Sequence, residues 1–134
     1  MSNKDKIIIF DTTMRDGEQS PGASMSLEEK IQISRIFDDM GVDIIEAGFP
    51  IASPGDFEAV TAISKILKNS IPCGLARSSK KDIDACHEAL KAAPRFRIHT
   101  FISTSPLHMK FKLNKSPEQV LEAIKESVSY ARNL

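Results

Sequence analysis

The 134-residue chain is long enough for one domain with a sizeable core, and its 18 basic residues balance its 18 acidic ones. That balance speaks against a nucleic-acid partner held through phosphates, which needs a basic surface. No apolar run reaches a membrane span, MSNKDKIIIFD has too short an apolar core for a signal peptide, and Cys73 and Cys86 lack CxxC spacing, so a cytoplasmic protein with reduced thiols is expected.

Four apolar runs read as strands: KIIIFDT (6–12), VDIIEAGF (42–49), IPCGLA (71–76) and FRIHTFIS (96–103). Each is nearly continuous in apolar residues, as expected for parallel strands covered on both faces. Between them the periodicity predicts helices. The first opens with Ser26 and Glu29 as a capping box, carries Leu27, Ile31, Ile33, Ile36, Phe37 and Met40 as its stripe, and closes at Gly41. The second follows Ser53-Pro54, with Phe57, Val60, Ile63 and Leu67 on one face. The third spans Lys80 to Ala93, buries Ile83, Cys86, Ala89 and Leu90, and stops before Pro94. The last has Ser116 as cap, Pro117 at its first position and Gln119 completing a box, with Val120, Ile124, Val128 and Ala131 inward. Lys110-Phe111-Lys112 with Lys115 reads as a solvated loop.

Strand–helix alternation four times over means βαβ crossovers and a parallel sheet, either an open doubly wound sheet or part of a (β/α)8 barrel. The first βα loop carries neither G-x-G-x-x-G nor a phosphate-binding G-x-x-x-x-G-K-[ST]; it holds carboxylates, an arginine and an amide. That favours the barrel, whose strand ends converge on one axis. Arg15-Asp16 follow the first strand, Glu46 lies in the second and His99 in the fourth. Asp16 is a hard oxygen donor suited to Mg²⁺ or Mn²⁺, or else a loop cap. Arg15 can hold an oxyanion without deprotonating. Glu46 in an apolar strand needs a cation, for which Arg15 is the economical candidate, whether for structure or for a site. His99 is a base, a ligand, a substrate hydrogen-bond donor or a satisfied core histidine. Ser103 and Arg77 follow strands and can line a pocket.

DTTMRDGEQSPGASMS resembles the signature of the metal-dependent acyl-CoA condensing and cleaving barrels, the DRE-TIM metallolyase group, and the chain supplies that Asp, Arg and Glu as Asp16, Arg15 and Glu46. GFPIASPGDFEAV and IHTFISTSPLHMKFKLNKSPEQVLEAI are most similar to the branch that joins acetyl-CoA to 2-oxoisovalerate on the way to leucine; the alternatives are a homocitrate- or citramalate-forming member of the same group, or a non-catalytic truncated product. The resemblance implies that residues 1–134 are the amino-terminal half of a TIM (β/α)8 catalytic barrel, about four βα units with unpaired outer strands. It implies catalytic roles for Arg15 and Glu46, a divalent metal (Mn²⁺ or Mg²⁺) on Asp16, and substrate contacts from Gln19, His99 and Ser103. It further implies a cytoplasmic homodimer acting on acetyl-CoA and 2-oxoisovalerate, with no nucleic-acid or membrane partner. A His-x-His metal pair and a leucine-binding regulatory domain belong to the group's pattern; His87, His99 and His108 do not supply the pair, so the chain by itself is expected to be inactive.

Overall fold

In a computed structural model, which describes residues 5–134, four parallel strands form one sheet in the order β1-β2-β3-β4. The MSNK of the stretch weighed as a signal peptide lies outside the described residues. The strands are β1 (Phe10–Asp11), β2 (Ile44–Gly48), β3 (Ile71–Arg77) and β4 (Arg97–Phe101). Between and after them run α1 (Leu27–Met40), α2 (Pro54–Ile66), α3 (Lys80–Leu90), a short α4 (Pro106–His108) and α5 (Pro117–Arg132). The long helices touch in succession, α1 on α2, α2 on α3 and α3 on α5, so they share one face of the sheet. A doubly wound sheet reverses its strand order and carries helices on both faces. This sheet does neither. It is singly wound, as consecutive βα units of a barrel are.

Alternation along the strands sorts their side chains. Ile45 and Ala47 of β2 and Ala76 of β3 enter the core beneath the helices, where Val60, Ile63, Ile83, Cys86 and Leu90 meet them. Glu46 takes the opposite face. The sheet and α3 approach closely at Gly74, where a Cβ would stand 2.6 Å from Cys86 Sγ.

The first strand is shorter than the expected 6–12. The Ile9 N–H donates to Asp43 Oδ2 at 2.9 Å instead of to a neighbouring strand, and Ile7, Ile8 and Ile9 are exposed at the sheet edge. α1 has both predicted caps, the Ser26–Glu29 box and Gly41 at φ 80°. Its buried face differs from the predicted stripe: Lys30, Ser34 and Asp38 face inward while Ile36 and Met40 are exposed. Lys30 and Asp38 find partners outside the helix, in Glu18 and in the N–H groups of residues 68–70, while Ser34 Oγ donates to the Ile31 carbonyl of its own helix. α3 ends at Leu90, three residues early, in a turn closed by Ala93 N–H to the Leu90 carbonyl. α5 turns Val120 and Ser127 inward and leaves Val128 exposed. The expected loop around Lys110 is a π-type turn, Met109–Leu113, terminated by Asn114 at φ 50°.

Asp38 ties the end of α1 to the segment that starts β3. Its Oδ1 accepts the N–H groups of Asn69 (2.9 Å) and Ser70 (2.6 Å), and its Oδ2 that of Lys68 (3.0 Å). Burial disfavours the charge, but these three donors outweigh it and hold the carboxyl below the ordinary carboxylate range. A lowered native pKa gives stability that is complete above about pH 4 and is lost as pH falls through the native value. Asp38→Ala is therefore expected to cost about 2–3 kcal/mol at pH 7, through three backbone donors left without their acceptor. Urea titration at pH 7 and pH 3 checks this: the gap between variant and parent should narrow at the lower pH.

Candidate active site

A tight turn after β1 builds the site. The Thr12 carbonyl accepts the N–H groups of Arg15, Asp16 and Gly17 at 3.1, 2.8 and 3.2 Å, and a single 3-10 turn, Gly17–Gln19, follows. Met14 is fully buried and anchors the turn, so Arg15 is directed over the sheet. Lys30 of α1 braces it from the other side, its Nζ 2.7 Å from Glu18 Oε1.

Arg15 meets Glu46 across that face, Nε donating to Oε1. Glu46 has no solvent exposure, and its Oε2 accepts from His99 Nδ1 at 2.5 Å. A carboxylate accepts only, so the pairing makes Nδ1 the protonated nitrogen, and Nε2 is left without a protein partner among the described residues. Phe10 sets its ring edge-on to His99 at 5.6 Å and 79°. Arg15 also donates through Nη1 to Asp16 Oδ1 at 2.9 Å. The structure thus brings Arg15, Asp16, Glu46 and His99 together from three βα units. An open cavity of about 660 Å³ lies beside His99, between Phe10, Ile44, Arg97 and Val128.

Asp16 suits a divalent cation as one donor. It is exposed, and its Oδ2 has no protein partner among the described residues, whereas both oxygens of Glu46 are engaged. No cluster of three or more His, Cys, Asp or Glu able to hold a metal occurs among the described residues. Gln19 and Ser103 line flanking clefts. Gln19 is exposed beside Glu18, Ser24 and Lys30, and Ser103 lies past the carboxyl end of β4 near Arg77 and Tyr130. The thiols are unsuited to nucleophilic work. Burial, reinforced by the nearby Glu46 charge, raises Cys73 far above a normal thiol and pushes Cys86 up to about 12.

Two features lay beyond sequence reasoning. Lys30 gave no signal, because a lysine one turn into an amphipathic helix reads as solvent-facing. Lys112 and Lys115 were visible as a basic patch, but the cleft that they join forms only when α5 packs on α3.

A singly wound βα array with an arginine–carboxylate–histidine cluster built from its first, second and fourth units defines a class of barrel enzymes. The HMGL-like family model matches residues 6–134, and the chain belongs to that family, as the amino-terminal half of its TIM barrel. Among curated proteins it is similar to the 2-isopropylmalate synthase of Caulobacter vibrioides (strain NA1000 / CB15N), 64% identical over 134 residues, all of this chain and 26% of the relative. The 2-isopropylmalate synthases of Bradyrhizobium sp. (strain ORS 278) and Rhodopseudomonas palustris (strain HaA2) are 63% and 62% identical over 132 residues, 98% of this chain and 25% of each relative. The chain thus spans about a quarter of the length of the curated relatives that it matches.

Removing one member of the buried pair strands the other. Arg15→Ala is expected to cost about 3–5 kcal/mol, because Glu46 stays buried without its permanent cation. Adding Glu46→Gln should recover part of that loss, giving a non-additive cycle. Chemical denaturation of the four proteins of the cycle measures the coupling, and strict additivity would show that the two side chains do not act as a unit.

Proposed function

We propose that residues 1–134 are the amino-terminal half of the catalytic domain of a 2-isopropylmalate synthase, which condenses acetyl-CoA with 2-oxoisovalerate and water to give 2-isopropylmalate and CoA. The observation that carries the reading is the fully buried Glu46 holding Arg15 and His99 on one face of the sheet, in a chain 64% identical to a relative of that name. In this reading the enzyme is a cytoplasmic homodimer.

The chemistry asks for stabilised negative charge on oxygen. Removing an α-proton from a thioester develops an enolate, and attack on the keto acid develops an alkoxide. Arg15 has N–H groups beyond those given to Glu46 and Asp16, and they donate to such an oxygen while remaining charged. Glu46 is a positioning residue for both Arg15 and His99. His99 Nε2 contacts the keto acid, with Gln19 supporting the turn and Ser103 contacting substrate at the far end of β4. Asp16 would contribute one oxygen ligand to Mg²⁺ or Mn²⁺, which would supply Lewis acidity toward the keto acid's carbonyl. Further metal ligands come from outside the described residues, so residues 1–134 alone are expected to release no CoA.

The full-length product of the gene provides the test. It should release CoA from acetyl-CoA faster with 2-oxoisovalerate than with pyruvate or 2-oxoglutarate; a preference for either of the others would reassign the substrate. Asp16→Asn should lower metal affinity in titration calorimetry and cut turnover strongly. Arg15→Lys should reduce kcat more than it raises KM, because the charge persists while the planar fork is lost.

A further inference from the structure

A cleft of about 350 Å³ lies between α3, α5 and the turn Met109–Lys115, outside the Arg15–Glu46–His99 cluster. Three lysines converge on it. Lys112 and Lys115 are placed by the π-type turn and by Asn114 in the left-handed region, where the Lys115 N–H donates to the Met109 carbonyl at 3.0 Å. Lys80 arrives from the start of α3 with its ammonium 5.3 Å from the Tyr130 ring centroid. None of the three forms an ion pair among the described residues. Arg77 at the rim is largely neutralised by Asp82, through contacts of 2.6 and 3.2 Å. Among the described residues Glu126 is the one carboxylate lining the cleft, so its local charge is positive although the chain as a whole is neutral.

Three uncompensated ammonium groups around one concavity repel one another unless an anion joins them. The walls carry a second message. Phe101 and Tyr130 present aromatic surface inside the cleft, which suits a flat ring rather than a bare inorganic ion. A phosphorylated nucleoside combines both features. His99 and Phe101 are two positions apart on the same side of β4, roughly 7 Å along the strand, so the cleft lies close to the candidate active site.

We propose that this cleft holds the phosphorylated nucleoside end of the thioester substrate, with Lys80, Lys112 and Lys115 on its phosphates and Phe101 and Tyr130 against its base. The identity of the ligand rests on the synthase reading above. The phosphates anchor the carrier while its acyl end extends to Arg15.

The test uses the full-length gene product, adenosine 3′,5′-bisphosphate as the binding probe, and two thioesters, acetyl-CoA and S-acetylpantetheine, the second lacking the nucleotide. Parent protein should bind the bisphosphate in titration calorimetry. Lys112→Ala/Lys115→Ala should abolish that binding and raise KM for acetyl-CoA about tenfold or more, the loss of charge-assisted phosphate contacts. KM for 2-oxoisovalerate and kcat/KM for S-acetylpantetheine should stay put. Lys125→Ala, which removes a charge elsewhere on α5, should change none of these. An unchanged KM for acetyl-CoA in the double variant, or no bisphosphate binding by the parent, would overturn the proposal. Bisphosphate binding that the double variant loses, in a protein that turns over no keto acid, would reject the synthase reading and support the cleft as a phosphonucleoside site.

Discussion

A carboxylate with no solvent exposure governs this structure. Burying Glu46 in the sheet costs several kcal/mol of desolvation unless cationic or donor groups surround it. Arg15 reaches it from the turn after β1 and His99 from β4, so one side chain of β2 draws together units whose contributing residues lie 31 and 53 positions away. Such a cluster adds little net stability, because Coulombic gain and desolvation nearly cancel. Its return is geometric: two side chains fixed to a common carboxylate keep their spacing to one another. That fixity is what a site needs if its donors must be in place before charge develops.

The two ends of the sheet divide the work. At the amino ends of the strands, Asp38 binds three consecutive N–H groups just before β3, and Ser70 Oγ donates to the Val42 carbonyl at 2.6 Å. These contacts close backbone polar groups that would otherwise be buried unpaired. At the carboxyl ends lie the Arg15 turn, Asp16 and the Lys112–Lys115 cleft. The charges of that end are incompletely paired: among the described residues Asp16 Oδ2 accepts no hydrogen bond and the three lysines of the cleft form no ion pair. In barrels stability gathers at the amino end and chemistry at the carboxyl end, and the polar residues here follow that division.

Lys30 shows how the two demands meet. It is nearly buried on α1, yet its ammonium pairs with Glu18 on the turn that carries Arg15 and Asp16. The inward face of the helix thereby braces the loop. The α1 stripe explains why this was hidden: Ile33 and Phe37 do pack against the core, but Ile36 and Met40 lie outside it and Lys30, Ser34 and Asp38 inside. Hydrophobicity alone oriented the helix wrongly by part of a turn, because Lys30 and Asp38 are held inward by partners on other segments.

Local chemistry made much of the chain legible. The Ser26–Glu29 and Ser116–Gln119 boxes, Gly41 and Pro117 fix helix ends through contacts within a few residues, so sequence suffices for them. The parallel sheet and the grouping of Arg15, Asp16 and Glu46 were likewise readable, because an apolar strand holding a glutamate demands a cation. Other features depended on elements distant in the chain. The shortening of β1 follows from Asp43 capturing the Ile9 N–H, and the bond from His99 to Glu46 spans β3. The basic cleft exists only because α5 lies against α3 and carries Tyr130 beside Lys80. By itself the sequence determined which segments form strands and helices and where the capped helix ends fall, since those depend on neighbours along the chain. Which polar groups are buried, and with whom, was decided by the tertiary structure, since desolvation is set by everything that packs around a group.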